Sequence, residues 1–576
     1  MYINTHTHVF TLRTVLSRES LRVMTQRLRD HRTPPLIVDA VFRVLDRLLD
    51  RPDLLDEREL LARLLSELRQ VSGFDRFLAE RLQGLPVQVV LEGEGLMELK
   101  LDTLRQALDE VSTALSDPEE KAMRPFDIVE TLRLAMGSTI TQVADALLEE
   151  MGPDDGMVAL MMDIRGDEEP ERDRQNFLRQ LRGTREAALQ RPGRVIPFFA
   201  VHPGRPDHFQ LMEEAIGEGA FAGIKLYPSL GYPVDSPELR RVYAFCVEAD
   251  VPVLLHCSHG GFYRKREFVD YCDPSHWREL LDGELAELRV CFAHFGGWES
   301  LGRSGGLDEG TWGHTILTLM KERPHVFTDL AFHTDQMRDP EDEACYFRTL
   351  GSLLADDHLR SRILFGSDSW LLRMEMTEGV FWRYYRERMS PADFRAIASE
   401  APRAFLGFPE AGSRGERGAI RANLQRHLGF LVRHREAVGA EPASWVLELT
   451  GESFQVNREP ADWGRRRVPA RCVWAAMHRY LTGAQRNGGY AGARDLRLKE
   501  LRYFRPRDPN FAGQICLGLA RDLAGFCADQ GGEFAPGWEL DAAIGRLQGV
   551  LRRGERRLVE VAGLLDRIYD FEEALV

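Results

Sequence analysis

The sequence predicts an α/β protein: a (β/α)8 TIM-like barrel with an inserted helical cap and a mainly helical C-terminal domain. Two observations predict the barrel. Short apolar runs recur at 157–164, 195–201, 221–227, 251–257, 288–295, 325–330 and 362–366, with starts 26 to 38 residues apart. Amphipathic helical patterns fill the gaps, as at 236–249 and 275–287. Strands that are apolar on both faces and alternate with helices indicate a parallel sheet covered by helices. A third observation is that the runs end in His, Lys or Asp, where a barrel gathers its chemistry.

The first strand lies at 1–9 and brings the strand number to eight, which closes this kind of barrel. A long gap then breaks the rhythm. Amphipathic spacing at 17–30, 35–49, 56–70 and 96–115 marks residues 10–137 as a helical insertion after strand one. Such an insertion emerges at the C-terminal mouth of the barrel. The stretch 140–151 reads as the helix leading into strand two. The barrel is therefore assigned to 1–9 and 138–408. After Phe408 the strand rhythm stops, and 409–576 reads as helical, with amphipathic stretches at 419–436, 470–481 and 540–565.

Composition narrows the function classes. Of 576 residues, 44% are hydrophobic and 29% charged, as in a folded globular chain. The net charge is −15, so nucleic acid gains no general electrostatic attraction. The cluster Arg465-Arg466-Arg467 reads as a solvated face. The eight cysteines are scattered without a CxxC pair, which fits reduced thiols in a cytoplasmic protein. No run approaches the roughly 20 apolar residues of a membrane helix, and the first strand begins too early to leave room for a signal peptide.

The chemistry starts at Ile3-Asn4-Thr5-His6-Thr7-His8. Residues i and i+2 on a strand share a side, so His6 and His8 can offer two neutral imidazoles to one divalent metal. Later strands end in Gly223-Ile224-Lys225-Leu226-Tyr227, Leu255-His256-Cys257, Ala293-His294-Phe295 and Gly366-Ser367-Asp368. Each polar residue also has a plainer reading. Lys225 can pair with a carboxylate, His256 and His294 can be hydrogen-bonded core histidines, and Asp368 can cap the next helix. Their shared place at strand ends favours the site. His202 and Asp329 are candidates for orienting ligands, and Tyr227 and His259 for touching substrate.

This pattern resembles the amidohydrolase superfamily, in particular its amidohydrolase-2 branch of metal-dependent hydrolases and decarboxylases. The resemblance covers 1–9 and about 138–408. It is strongest at 223–235, at His256-Cys257-Ser258-His259-Gly260-Gly261, and at Ala401-Pro402-Arg403-Ala404-Phe405-Leu406-Gly407. It implies His6 and His8 as metal ligands and Asp368 as a ligand and proton shuttle. It implies His256 and His294 as ligands of a second metal or as substrate-polarising groups. Lys225 stands where binuclear members carry a carbamylated lysine, whereas decarboxylase-like members use one metal.

The function expected is therefore hydrolysis of an amide, lactone or other ester in a small molecule by metal-activated water, with one or two divalent ions, Zn2+ first among them. Nonoxidative decarboxylation at a single metal is the alternative. A third reading is a partner-binding scaffold, with 10–137 or 409–576 as the surface for a protein partner or self-association.

Overall fold

The computed structural model describes residues 1–30, scattered positions between 42 and 107, 139–409 and 420–454, a few single residues apart. Two compact units divide the chain, Met1–Phe454 and Gln455–Val576. The helices expected at 470–481 and 540–565 lie outside the described residues, as does most of the insertion from 31 to 137.

Eight parallel strands run in chain order: β1 (Ile3–His8), β2 (Gly156–Leu160), β3 (Val195–Val201), β4 (Gly223–Leu226), β5 (Val253–Leu255), β6 (Val290–Phe292), β7 (Val326–Asp329) and β8 (Ile363–Leu364). This is the expected TIM barrel. Every strand residue is buried, as a sheet covered by helices on the outside and filled by side chains on the inside requires. Helices Pro170–Gln190, His208–Glu218, Pro237–Glu248, Trp312–Glu322 and Pro340–Leu354 separate successive strands. Ser236 caps one of them through the Leu239 N–H, and Pro237 sits at its first turn. Phe405, from the helix Ala401–Leu406, packs on Phe198 of β3 and Phe327 of β7. Those strands lie on opposite sides of the barrel, so this ring reaches across its interior.

One expected helix differs. The stretch 275–287 is a series of short turns around Trp277–Leu280, because Gly283 adopts φ 63° and ends the helical path.

Two irregularities shape the mouth. Along β1 the register passes from Asn4↔Met157 to Thr7↔Ala159, so three steps on β1 match two on β2. That extra residue is a bulge at Thr5–His6, and it includes the first of the two histidines. At the other edge β8 pairs for only two residues. Beyond it, β1 and the segment after β8 meet through Thr5 N–H to Phe365 O (3.0 Å) and Asp368 N–H to His6 O (2.8 Å).

The described start of the insertion packs on the same mouth. In the helix Arg18–Asp30, Glu19 accepts from Arg264 (3.0 Å) after β5, and Gln26 bonds Tyr263 (3.3 Å). Arg22 pairs with Glu168 after β2. At the far end, Asn423 of the helix Ala422–Arg433 donates to Ala222 O (3.1 Å) and Leu406 O (3.0 Å). Trp445 donates to Gly193 O (3.1 Å). Residues 420–450 thus pack on the barrel itself. Among the described residues no helix is long and apolar enough to cross a membrane.

Candidate metal centre

His6, His8, Lys225, His256, His294 and Asp368 meet at the C-terminal ends of the strands, all buried. One ligand atom each from His6, His8 and Asp368 lies within 4.8 Å of the others, and the same holds for His6, His294 and Asp329. His8 Nε2 stands 3.9 Å from Asp368 Oδ1. Asp368 occupies the start of the short helix Ser369–Leu372, yet its side chain makes no capping bond there. Its backbone is left-handed (φ 55°), and His294 (φ 63°) and Phe295 (φ 47°) share that conformation. Left-handed non-glycine residues cost of order 1–3 kcal/mol each and cluster at functional sites.

Hydrogen bonds to the far side of each ring fix where the lone pairs point. His6 Nδ1–H donates to Asp329 Oδ2 (2.9 Å), leaving Nε2 as an acceptor, 3.2 Å from Lys225 Nζ. His256 Nε2–H donates to Gly260 O (3.0 Å), and His294 Nδ1–H donates to Ala331 O (2.9 Å). The two remaining nitrogens, His256 Nδ1 and His294 Nε2, then face each other 3.0 Å apart. With both rings neutral, neither carries a proton to give the other. Two lone pairs this close call for a proton or a cation between them.

Burial keeps these rings neutral. It holds His6 and His8 well below the ordinary histidine value, and Lys225 adds to the effect. His256 is lowered by burial, then by His294 and Lys225; His294 is lowered by burial, then by His6. Neutral imidazole is the form that binds metal. Lys225 is itself pushed down to about 8 by burial, against the pull of Asp368 and Asp329. The donor set of neutral imidazoles and a carboxylate fits a divalent ion.

Other expected residues take supporting places. Asp329 is wholly buried; besides His6 it accepts the His294 N–H (2.7 Å) and the Ala331 N–H (3.0 Å) through Oδ1. Tyr227 stacks on His256 with ring centroids 4.1 Å apart, and its hydroxyl accepts the Phe262 N–H (2.9 Å). His202 ends β3 with Nδ1 accepting the Gly204 N–H (3.1 Å), while Nε2 has no hydrogen-bond partner among the described residues. His259 is exposed and stacks on Trp312 with centroids 3.8 Å apart.

Sequence reasoning did not single out His333, Asn4 or Glu378. His333 Nε2–H donates to His294 O (2.8 Å), and its Nδ1 accepts from the Tyr346 hydroxyl (2.8 Å). His333 follows β7 by four residues, a position with no motif to mark it. Asn4 stands two residues before His6, in a strand whose residues after Ile3 are all polar, so nothing local set it apart. Glu378 had no local signal.

Residues 144–408 match the family model Amidohydro_2, described as amidohydrolase. Over these residues the barrel is similar to the amidohydrolase family. Members of this family bind divalent metals, and the family also includes decarboxylases. Among solved structures, the chain is similar to an uncharacterized TIM-barrel protein from Bordetella bronchiseptica. The match has 16% identity, covers 51% of this chain and 92% of that one, and has a TM-score of 0.35. It is also similar to 2,6-dihydroxybenzoate decarboxylase from Rhizobium (14% identity, 45% and 86% covered, TM-score 0.33). A third is a putative 2-pyrone-4,6-dicarboxylic acid hydrolase from Pseudomonas putida (18%, 46% and 86%, 0.32). No curated protein matches the chain.

Proposed function

We propose that this amidohydrolase-like barrel is a hydrolase that cleaves an amide, lactone or other ester bond in a small molecule. His6, His8 and Asp368 would hold one divalent ion, with Zn2+ suited to this nitrogen and oxygen donor set. His256 and His294 would hold a second. The observation that carries the reading is the inward aim of three imidazole lone pairs, on His6 Nε2, His256 Nδ1 and His294 Nε2. Each is fixed by a far-side hydrogen bond to a carboxylate or a carbonyl.

Divalent ions, when bound, would make a water nucleophile available at neutral pH and would polarise the substrate oxygen. Asp368 accepts the proton of that water at a carboxylate oxygen and returns it to the leaving group. His8, beside Asp368, is neutral and does not compete for the proton. Asp329 keeps the His6 proton on Nδ1, away from the donor atom. The helix Arg18–Asp30, fastened through Arg264 and Tyr263, borders the entrance and shapes what can enter.

As a carbamate, Lys225 would offer bound ions an anionic oxygen ligand. Its amine adds CO2, forming an N–C bond and releasing one proton. That step needs the neutral amine. Burial lowers Lys225 to about 8, which makes the neutral amine more available than in an ordinary lysine.

Metal analysis of freshly purified protein, beside Lys225→Ala, tests the reading. The expected result is about two ions per chain, falling in the variant and partly restored by a short carboxylic acid, together with hydrolysis of some member of an amide, lactone and ester panel. One ion per chain, unchanged in the variant, would overturn the carbamate ligand and favour decarboxylation at a single metal. A metal-free, inert protein would leave the scaffold reading.

A further inference from the structure

The centre depends on two chain segments that the sheet holds poorly. In β1 the bulge at Thr5–His6 takes residues out of the ladder with β2. At β8 the ladder stops at Leu364, four residues before Asp368. Something else has to fix His6 and His8 against Asp368.

We propose that Asn4, Ser367 and Glu378 form a buried polar seam that positions His6 and His8 against Asp368, a proposal that rests on reading these three as metal ligands. Asn4 Oδ1 accepts the His6 N–H (3.2 Å), the amide that the bulge turns away from β2, and the Ser367 N–H (3.1 Å). Asn4 Nδ2 donates to Ser367 Oγ (2.7 Å) and to Glu378 Oε1 (2.5 Å). All four hydrogen-bonding places of the amide are thereby used. Ser367 Oγ–H donates to the same Glu378 oxygen (2.6 Å). Glu378 opens the helix Glu378–Arg388, is fully buried, and holds both partners from outside the sheet.

The seam ends at each ligand by a short route. It bonds the backbone amide of His6, and it holds the residue before Asp368, whose left-handed backbone gives its own amide to His6 O. If Asn4 released the His6 amide, β1 could return to plain register with β2. His6 would then take the place of Thr7 opposite Ala159, and a one-residue slip turns side chains to the opposite face. The seam therefore keeps the bulge that aims the two imidazoles inward. No apolar side chain could replace Asn4 without leaving the His6 and Ser367 amides unpaired.

The test uses the full chain, stripped of metal and titrated with Co2+ in competition with a chelator. Its absorption spectrum reports ligand geometry. Glu378→Ala and Ser367→Ala are expected to weaken Co2+ binding by about 10–100-fold, the usual range for groups that orient ligands, and to change the spectrum. Glu378→Gln keeps an acceptor oxygen for Asn4 and Ser367. It places its NH2 where Glu378 Oε2 has no partner among the described residues, so it is expected to keep wild-type affinity and spectrum. If Glu378→Ala does not fold, Ser367→Ala decides. Variants with lower melting temperature but unchanged Co2+ affinity and spectrum would overturn the proposal, leaving the seam a stabilising feature only. So would a Glu378→Gln variant as impaired as Glu378→Ala. A wild-type chain that binds no Co2+ would overturn the metal reading and this proposal with it, and the wild-type titration alone reveals that case.

Discussion

Asp329→Asn separates the aim of His6 from the packing around it. Asp329 Oδ1 accepts two backbone amides, from His294 and Ala331, so the amide oxygen of an asparagine must stay on that side. The new NH2 then faces His6 Nδ1 across the 2.9 Å that the carboxylate spanned. Two donors cannot share that contact, so the His6 proton must move to Nε2, the atom that would bind the ion. Loss of such an orienting partner weakens metal binding by about 10–100-fold, or about 1.4–2.7 kcal/mol at 1.36 kcal/mol per tenfold change. Alanine at 329 is a poorer probe. It would leave two buried amides unpaired at about 1–3 kcal/mol each, a large share of the roughly 5–15 kcal/mol that keeps a domain folded. Competition of a chelator for Zn2+ bound to wild type and Asp329→Asn gives the ratio directly. Equal affinities, with the variant folded, would refute the assignment of the His6 tautomer and its role.

Two further outcomes follow from the same geometry. Gly261 has φ 88°, and a Cβ there would lie 2.4 Å from Tyr227 Oη and 2.5–2.6 Å from the His256 ring. Gly261→Ala should displace the Tyr227–His256 stack and lower metal content more than stability; a crystal structure with His256 unmoved and full metal occupancy would contradict this. The metal-free protein should also lose stability on acidification from pH 6.5 towards 4. Burial lowers His202, His333 and His427 from 6.5 to about 4. A lowered histidine contributes stability that is present above its unfolded value and lost as pH falls through the folded one, here roughly 3 kcal/mol each. Asp173 and Glu378, raised by burial to about 6 and about 7, act in the opposite sense over part of the range. They are outnumbered once the four site histidines, lowered by the same cause, are included. A melting temperature that is flat between pH 6.5 and 4 would refute the balance.

The barrel was legible because its signals are local. An apolar run about five residues long, ending in His or Asp and followed by an amphipathic helix, announces a parallel strand and its active end. That pattern placed His6, His8, Lys225, His256, His294 and Asp368 at one mouth, and the structure brings them there. The plainer reading of Asp368 as a helix cap fails, since its carboxylate makes no capping bond. The continuous helix expected at 275–287 fails too, because amphipathic spacing does not register a glycine with positive φ. Asp329 was visible as a strand-end carboxylate, but its two backbone amides and its imidazole were not.

The sequence by itself determined the strand ends, the type of side chain at each, and the order in which the chain delivers them. Those follow from hydrophobic periodicity, which acts over a few residues. Only the tertiary structure decided where the lone pairs point. The His6 proton is set by Asp329, 323 residues away, and the Asn4 amide by Glu378, 374 residues away. A tautomer or a bulge is fixed by whichever buried donor or acceptor stands opposite. Buried polar groups must find partners, and those partners become neighbours only when β1 and β8 come together to close the barrel.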